Sequence, residues 1–129
     1  MAFPAVFNIL YYRGDTYEFR IYPKDASGNQ FPLIGYDPVS GVKFTMSTER
    51  GADGIGDQIE GYSKISSDGT YIDCAILPLN GIAMDFSLNY VYDVQVFKSG
   101  SPYDVVTTLL TGTISVTEQI TGAAEALLS

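Results

Sequence analysis

Asp15-Thr16-Tyr17-Glu18-Phe19-Arg20-Ile21-Tyr22 alternates with period two: Tyr17, Phe19 and Ile21 point one way while Thr16, Glu18 and Arg20 point the other. This is the pattern of a half-buried strand. Outward from it, Ser27-Gly28-Asn29 is a turn signal, because Gly and Asn accept positive φ at little cost. The turn Asp37-Pro38-Val39-Ser40-Gly41 then introduces a second alternating run, Val42-Lys43-Phe44-Thr45-Met46-Ser47. Gly51-Ala52-Asp53-Gly54-Ile55-Gly56-Asp57 is a glycine-rich connection, and Gly61 to Ser66 offers a short strand. Ser67-Asp68-Gly69 turns the chain into a strand carrying Ile72, Cys74 and Ile76 in phase. Leu79 to Leu88, following Pro78, breaks the rhythm with near-helical spacing of Ile82, Ala83 and Phe86, which predicts a single helical turn. The best-defined strands are Tyr90 to Phe97 and Val105 through Val116, the latter with Leu110, Ile114 and Val116 on one face. Phe7 to Tyr12 is a further strand, ending at Arg13-Gly14-Asp15.

About seven or eight short strands with no long helix to cover a parallel sheet predict an all-β fold, an antiparallel β-sandwich, with a closed barrel as the alternative. The chain of 129 residues is sized for one such domain, expected over residues 7–121, with an N-terminal arm at 1–6 and a C-terminal tail at 122–129. The Cys-Trp-Cys core of antibody domains is absent, since there is one cysteine and no tryptophan. Tyr90 or Tyr92 is placed to hydrogen-bond a loop from the start of its strand, as the corner tyrosine of sandwiches does, unless it is simply a packed aromatic.

Composition narrows function by exclusion. A formal charge of −8 has the wrong sign for neutralising phosphates, so nucleic acid is not an expected partner. Without histidine and with Cys74 alone, His-based acid–base catalysis, Cys–His nucleophiles, His/Cys zinc sites and internal disulfides are excluded. Cys74, in phase with Ile72 and Ile76, reads as a small core residue. The glycines of 51–56 are in the wrong order for a dinucleotide or phosphate loop. Asp53, Asp57 and Glu60 could converge on a cleft for glycoside hydrolysis or Ca²⁺, but they sit on a glycine-rich connection and lack the twelve-residue calcium loop. No catalytic, cofactor-binding or metal-binding residue is therefore assigned, and no enzyme activity or cofactor is expected. Arg13-Gly14-Asp15 matches the cell-adhesion tripeptide and is read as a turn. Tyr11, Tyr12, Tyr22, Tyr36, Tyr62 and Tyr103 are candidate surface aromatics for a protein or carbohydrate contact, although about half are expected in ordinary packing. No apolar run approaches the ~20 residues of a membrane helix, and no signal peptide is recognised. A membrane is not an expected partner, and synthesis in a cytosol is expected.

Asn89-Tyr90-Val91-Tyr92-Asp93-Val94-Gln95-Val96, then Thr107-Thr108-Leu109-Leu110-Thr111-Gly112-Thr113-Ile114-Ser115-Val116, then Ile120-Thr121, resembles the closing strands of small β-sandwich proteins of tailed-phage virions. The first half is similar in outline: Phe7-Asn8-Ile9, then Gly14-Asp15-Thr16 leading into the alternating strand, then Pro32-Leu33-Ile34-Gly35-Tyr36. The resemblance covers Phe7 to Thr121 and implies the Ig-like sandwich of tail-fibre connector, baseplate and related accessory proteins. The stretch Gly51 to Asp57 and the tail after Thr121 fall outside it. It implies a structural protein of the virion, assembled in the host bacterial cytoplasm in multiple copies and contacting other virion proteins. The alternatives are capsid decoration and a carbohydrate-binding or adhesion module with a host-surface glycan as partner. Apolar Phe3, Leu127 and Leu128 suggest that both termini order on docking to a neighbour.

Overall fold

The computed structural model describes residues 5–48, 58–85, 88–118 and 120. Among them the chain forms β1 (Ala5–Val6), β2 (Ile9–Tyr12), β3 (Tyr17–Ile21), β4 (Val42–Ser47), β5 (Ile59–Glu60), β6 (Tyr62–Ile65), β7 (Ile72–Ile76), α1 (Pro78–Ile82), β8 (Asn89–Lys98) and β9 (Val105–Thr117). The fold is all-β, with nine strands among the described residues, two of them only two residues long. The larger sheet has the order β1-β9-β8-β4-β5, with β2 also on β9, and the smaller has the order β3-β7-β6.

Most pairings are antiparallel, but β1 and β2 both run parallel to β9. The expectation of an antiparallel sheet throughout is corrected at this edge. A parallel neighbour needs a long connection between the strands, and here the whole intervening domain serves as that connection. The pairing also begins earlier than expected: Ala5 and Val6, assigned by sequence to the arm, lie opposite Leu110 and Thr111.

The sheets meet over a single core because each strand turns its apolar phase inward. Phe44, Met46, Tyr92, Val94, Val96 and Ile114 come from the larger sheet, and Ile65, Ile72, Cys74 and Ile76 from the smaller. Phe19 of β3 stands edge-on to Phe44 (5.4 Å) and Tyr92 (6.3 Å), so one aromatic cluster spans both sheets. The register of β8 and β9 shifts after Val94, which faces Leu110, while Gln95 faces Thr108. Leu109 is the extra residue of this bulge, and Leu109 and Leu110 are both buried, which simple alternation forbids. The chain changes sheets at Gly61, whose N–H donates to the Phe44 carbonyl at 2.9 Å. A Cβ there would come within 2.6 Å of the Phe44 ring, so the crossing needs glycine.

The expected helical turn is α1. Asn80 accepts a hydrogen bond from the Leu77 N–H (2.8 Å) and donates to the Glu60 carbonyl (3.1 Å), tying the helix start to β5. Gly81 lies against the Tyr11 hydroxyl, where any side chain would collide.

Candidate interaction surfaces

The β1–β2 edge of the larger sheet is built by a local break in the chain. The Phe7 N–H still donates to the Thr111 carbonyl at 2.9 Å. Its own carbonyl instead accepts the Tyr92 hydroxyl, and the Asn8 side-chain oxygen accepts the Thr113 N–H at 3.1 Å. Gly112 lies beneath this crossing, and a Cβ there would overlap the Phe7 carbonyl oxygen. A side chain thus replaces one rung of the ladder, and the break separates β1 from β2.

Burial alternates beyond the break. Ile9 and Tyr11 enter the core, while Leu10 and Tyr12 are 82% and 60% exposed; on β1, Val6 is 70% exposed. Among the described residues no strand pairs with the outer edge of β1 or β2. Edge strands are ordinarily blunted by charges or proline. The edge strand β3 follows that rule with outward Glu18 and Arg20, and β6 with outward Lys64. Ala5 to Tyr12 contains neither a charge nor a proline. Among the described residues this edge therefore combines unpaired backbone with large exposed apolar side chains, the chemistry by which another chain adds to a sheet.

Arg13-Gly14-Asp15 is a turn, as read, with Gly14 at φ 91° and the Asp15 N–H donating to the Tyr12 carbonyl. The guanidinium does not stand out for a receptor. Arg13 Nε donates to the Met84 carbonyl (2.9 Å) and Nη2 to the Ile82 carbonyl (2.8 Å), and Nη1 lies 3.5 Å from Glu118. It clamps the end of α1 and the residues just after it to the end of the β2–β9 pair.

Of the candidate surface tyrosines, Tyr12, Tyr22, Tyr62 and Tyr103 are exposed, whereas Tyr11 and Tyr36 are buried. Tyr11 lies in the inward phase of β2 and donates its hydroxyl to the Asp15 carbonyl at 2.7 Å. Burial pushes its phenol up to about 12. Tyr36 packs against Phe31 and carries the Lys98 ammonium 4.7 Å over its ring. Cys74 is buried as expected, and burial pushes its thiol up to about 12. Asp53 and Asp57 lie outside the described residues, so their convergence with Glu60 does too; Glu60 is exposed on β5. Among the described residues no three His, Cys, Asp or Glu side chains group to hold a metal ion.

Sequence reasoning did not single out the β1–β2 edge, although its signal was present as eight consecutive uncharged residues from Ala5 to Tyr12. No protein-family model matches the chain, and no curated protein matches it.

Proposed function

We propose that this chain is a non-enzymatic structural component of a tailed-phage virion, a connector or assembly unit of the tail, tail fibre or baseplate, joined to its neighbours along the β1–β2 edge. The observation that carries the reading is the uncharged edge exposing Val6, Leu10 and Tyr12. An Ig-like sandwich is the finer fold reading, and three features support it. The first strands lie parallel to the last, on a sheet ordered β9-β8-β4-β5 that faces β3-β7-β6. A helical turn links β7 to β8. At that corner the Asp85 N–H donates to the Tyr90 hydroxyl at 2.9 Å, in the manner of a corner tyrosine. Since one fold hosts many tasks, the edge and not the fold bears the functional weight.

The partners are other virion proteins, in several copies per particle. The test is complementation of a phage lacking this gene, followed by sedimentation of particles. Wild-type chain is expected to co-sediment with particles. A Leu10→Lys chain, with an unchanged melting profile, is expected to stay in the soluble pool. Equal incorporation of Leu10→Lys refutes the edge as the joint, and wild-type chain absent from particles refutes the virion reading.

A further inference from the structure

The outer face of the smaller sheet carries a hollow unrelated to the β1–β2 edge. Two rows of outward side chains cross its three strands in register: Glu18, Ala75 and Tyr62 in one, Arg20, Asp73 and Lys64 in the next. The centre of the first row is only a methyl group. Ala75 is 6% exposed between two long neighbours, and a depression of ≈ 440 Å³, open to solvent, forms above it. That volume falls in the range of small-molecule sites, roughly 300–1,000 Å³.

The walls differ in chemistry. On one side Arg20 Nε meets Asp73 Oδ1 at 2.7 Å and Nη2 meets Oδ2 at 3.4 Å, a forked pair. The guanidinium carbon lies 3.9 Å from the centroid of the Tyr71 ring, which holds the fork in place before any ligand arrives. In the other row, across Ala75 from Glu18, stands Tyr62, an aromatic side chain 45% exposed to solvent. The hollow therefore offers an apolar floor, an aromatic wall and a fixed polar wall with both donors and acceptors.

Charge selects the ligand. Arg20 and Asp73 neutralise each other, Lys64 of the second row offsets Glu18 of the first, and the chain carries −8 overall, so the two rows present no net charge that would recruit an anion. A simple cation meets the guanidinium. A neutral polyhydroxyl ring fits both walls, because its C–H face packs on methyl and aromatic groups while its hydroxyls donate to carboxylate and accept from guanidinium. We propose that the hollow over Ala75, between Tyr62 and the Arg20–Asp73 pair, is a binding site for a neutral pyranose unit of a saccharide. This goes beyond the assembly reading and does not depend on it.

The experiment is an NMR titration of the full ¹⁵N-labelled chain with glucose, galactose, rhamnose and N-acetylglucosamine. Each is taken to about 50 mM, enough to saturate a site with a Kd of a few mM. Saturable shifts are expected at the amides of Arg20, Asp73 and Ala75 with at least one sugar. Ala75→Val fills the floor with a residue that strands favour, and at least a tenfold loss of affinity is expected with an unchanged melting profile. Tyr62→Leu should weaken binding as well, and it carries the test if Ala75→Val does not fold. Lys43→Ser, on the outer face of the other sheet, should leave binding unchanged. The proposal is overturned if none of the four sugars gives a saturable shift, if the shifts fall away from the smaller sheet, or if binding survives in the folded hollow variants. None of these outcomes bears on particle incorporation, so this reading and the assembly reading fail separately.

Discussion

Gly112→Ala probes the crossing that defines the β1–β2 edge. The added methyl would overlap the Phe7 carbonyl oxygen and lie 2.8 Å from the Phe7 carbonyl carbon and 3.0 Å from Tyr92 Cε1. Tyr92 is buried in the core, so the Phe7 peptide must yield. Moving it breaks the bond to Thr111, about 1 kcal/mol, and strips the buried Tyr92 hydroxyl of its acceptor, about 1–3 kcal/mol. Replacing glycine in a strand returns ~0.5–1 kcal/mol of chain entropy. The net loss is about 1–3 kcal/mol. For 129 residues at about 2.1 cal/mol/K each, the unfolding entropy is near 0.27 kcal/mol/K, so the Tm should fall by roughly 4–11 °C. Circular dichroism melts measure this, and hydrogen exchange should show faster exchange at the Phe7 amide while the β8 amides change little. Tyr92→Phe removes the same hydroxyl without steric conflict and should lower stability by about 1–2 kcal/mol. A Gly112→Ala protein that melts at or above the parent temperature would refute the crossing, because intrinsic propensity alone favours alanine.

Arg13→Ala should destabilise by about 2–4 kcal/mol, since two carbonyls lose charge-assisted donors, and Arg13→Lys should recover little because one ammonium cannot fork to both; denaturant titration of the two variants decides, and a Lys variant as stable as wild type counts against the clamp. Asp37 accepts from the Ser40 and Val39 N–H groups, and Asp68 from the Thr70 and Ser66 hydroxyls, so both carboxyls are held below their ordinary 3.8. Their contribution is present above that value and is lost as the pH falls through the depressed folded values. Stability should therefore drop below about pH 4, and an Asp37→Asn/Asp68→Asn protein should show a flatter acid limb in urea titrations. Cys74 should resist a thiol reagent at pH 8 in the native state and react quickly in urea; rapid native labelling would contradict its burial.

The strands and their inward faces were legible in the residue pattern, because period-two alternation and turn chemistry are local properties. Tyr17, Phe19 and Ile21 face the core side of β3, Gly28 and Gly69 take positive φ at the expected turns, and Pro78 opens the expected helical turn. Cys74 follows Ile72 and Ile76 inward for the same reason. Local pattern carries no information about which strands become neighbours. The parallel pairing of β1 and β2 with β9 joins residues about a hundred positions apart, and only the closed fold brings them together. The same limit hid the bulge at Leu109, which breaks alternation to bury two adjacent leucines. It also hid the fate of individual polar groups. Tyr11 and Tyr36 read as surface aromatics until neighbouring elements covered them, and Arg13 read only as part of a turn, because the Ile82 and Met84 carbonyls it binds lie about seventy positions away. Period and turn type are set by a few consecutive residues, whereas edges, hollows and clamps exist only where distant segments meet.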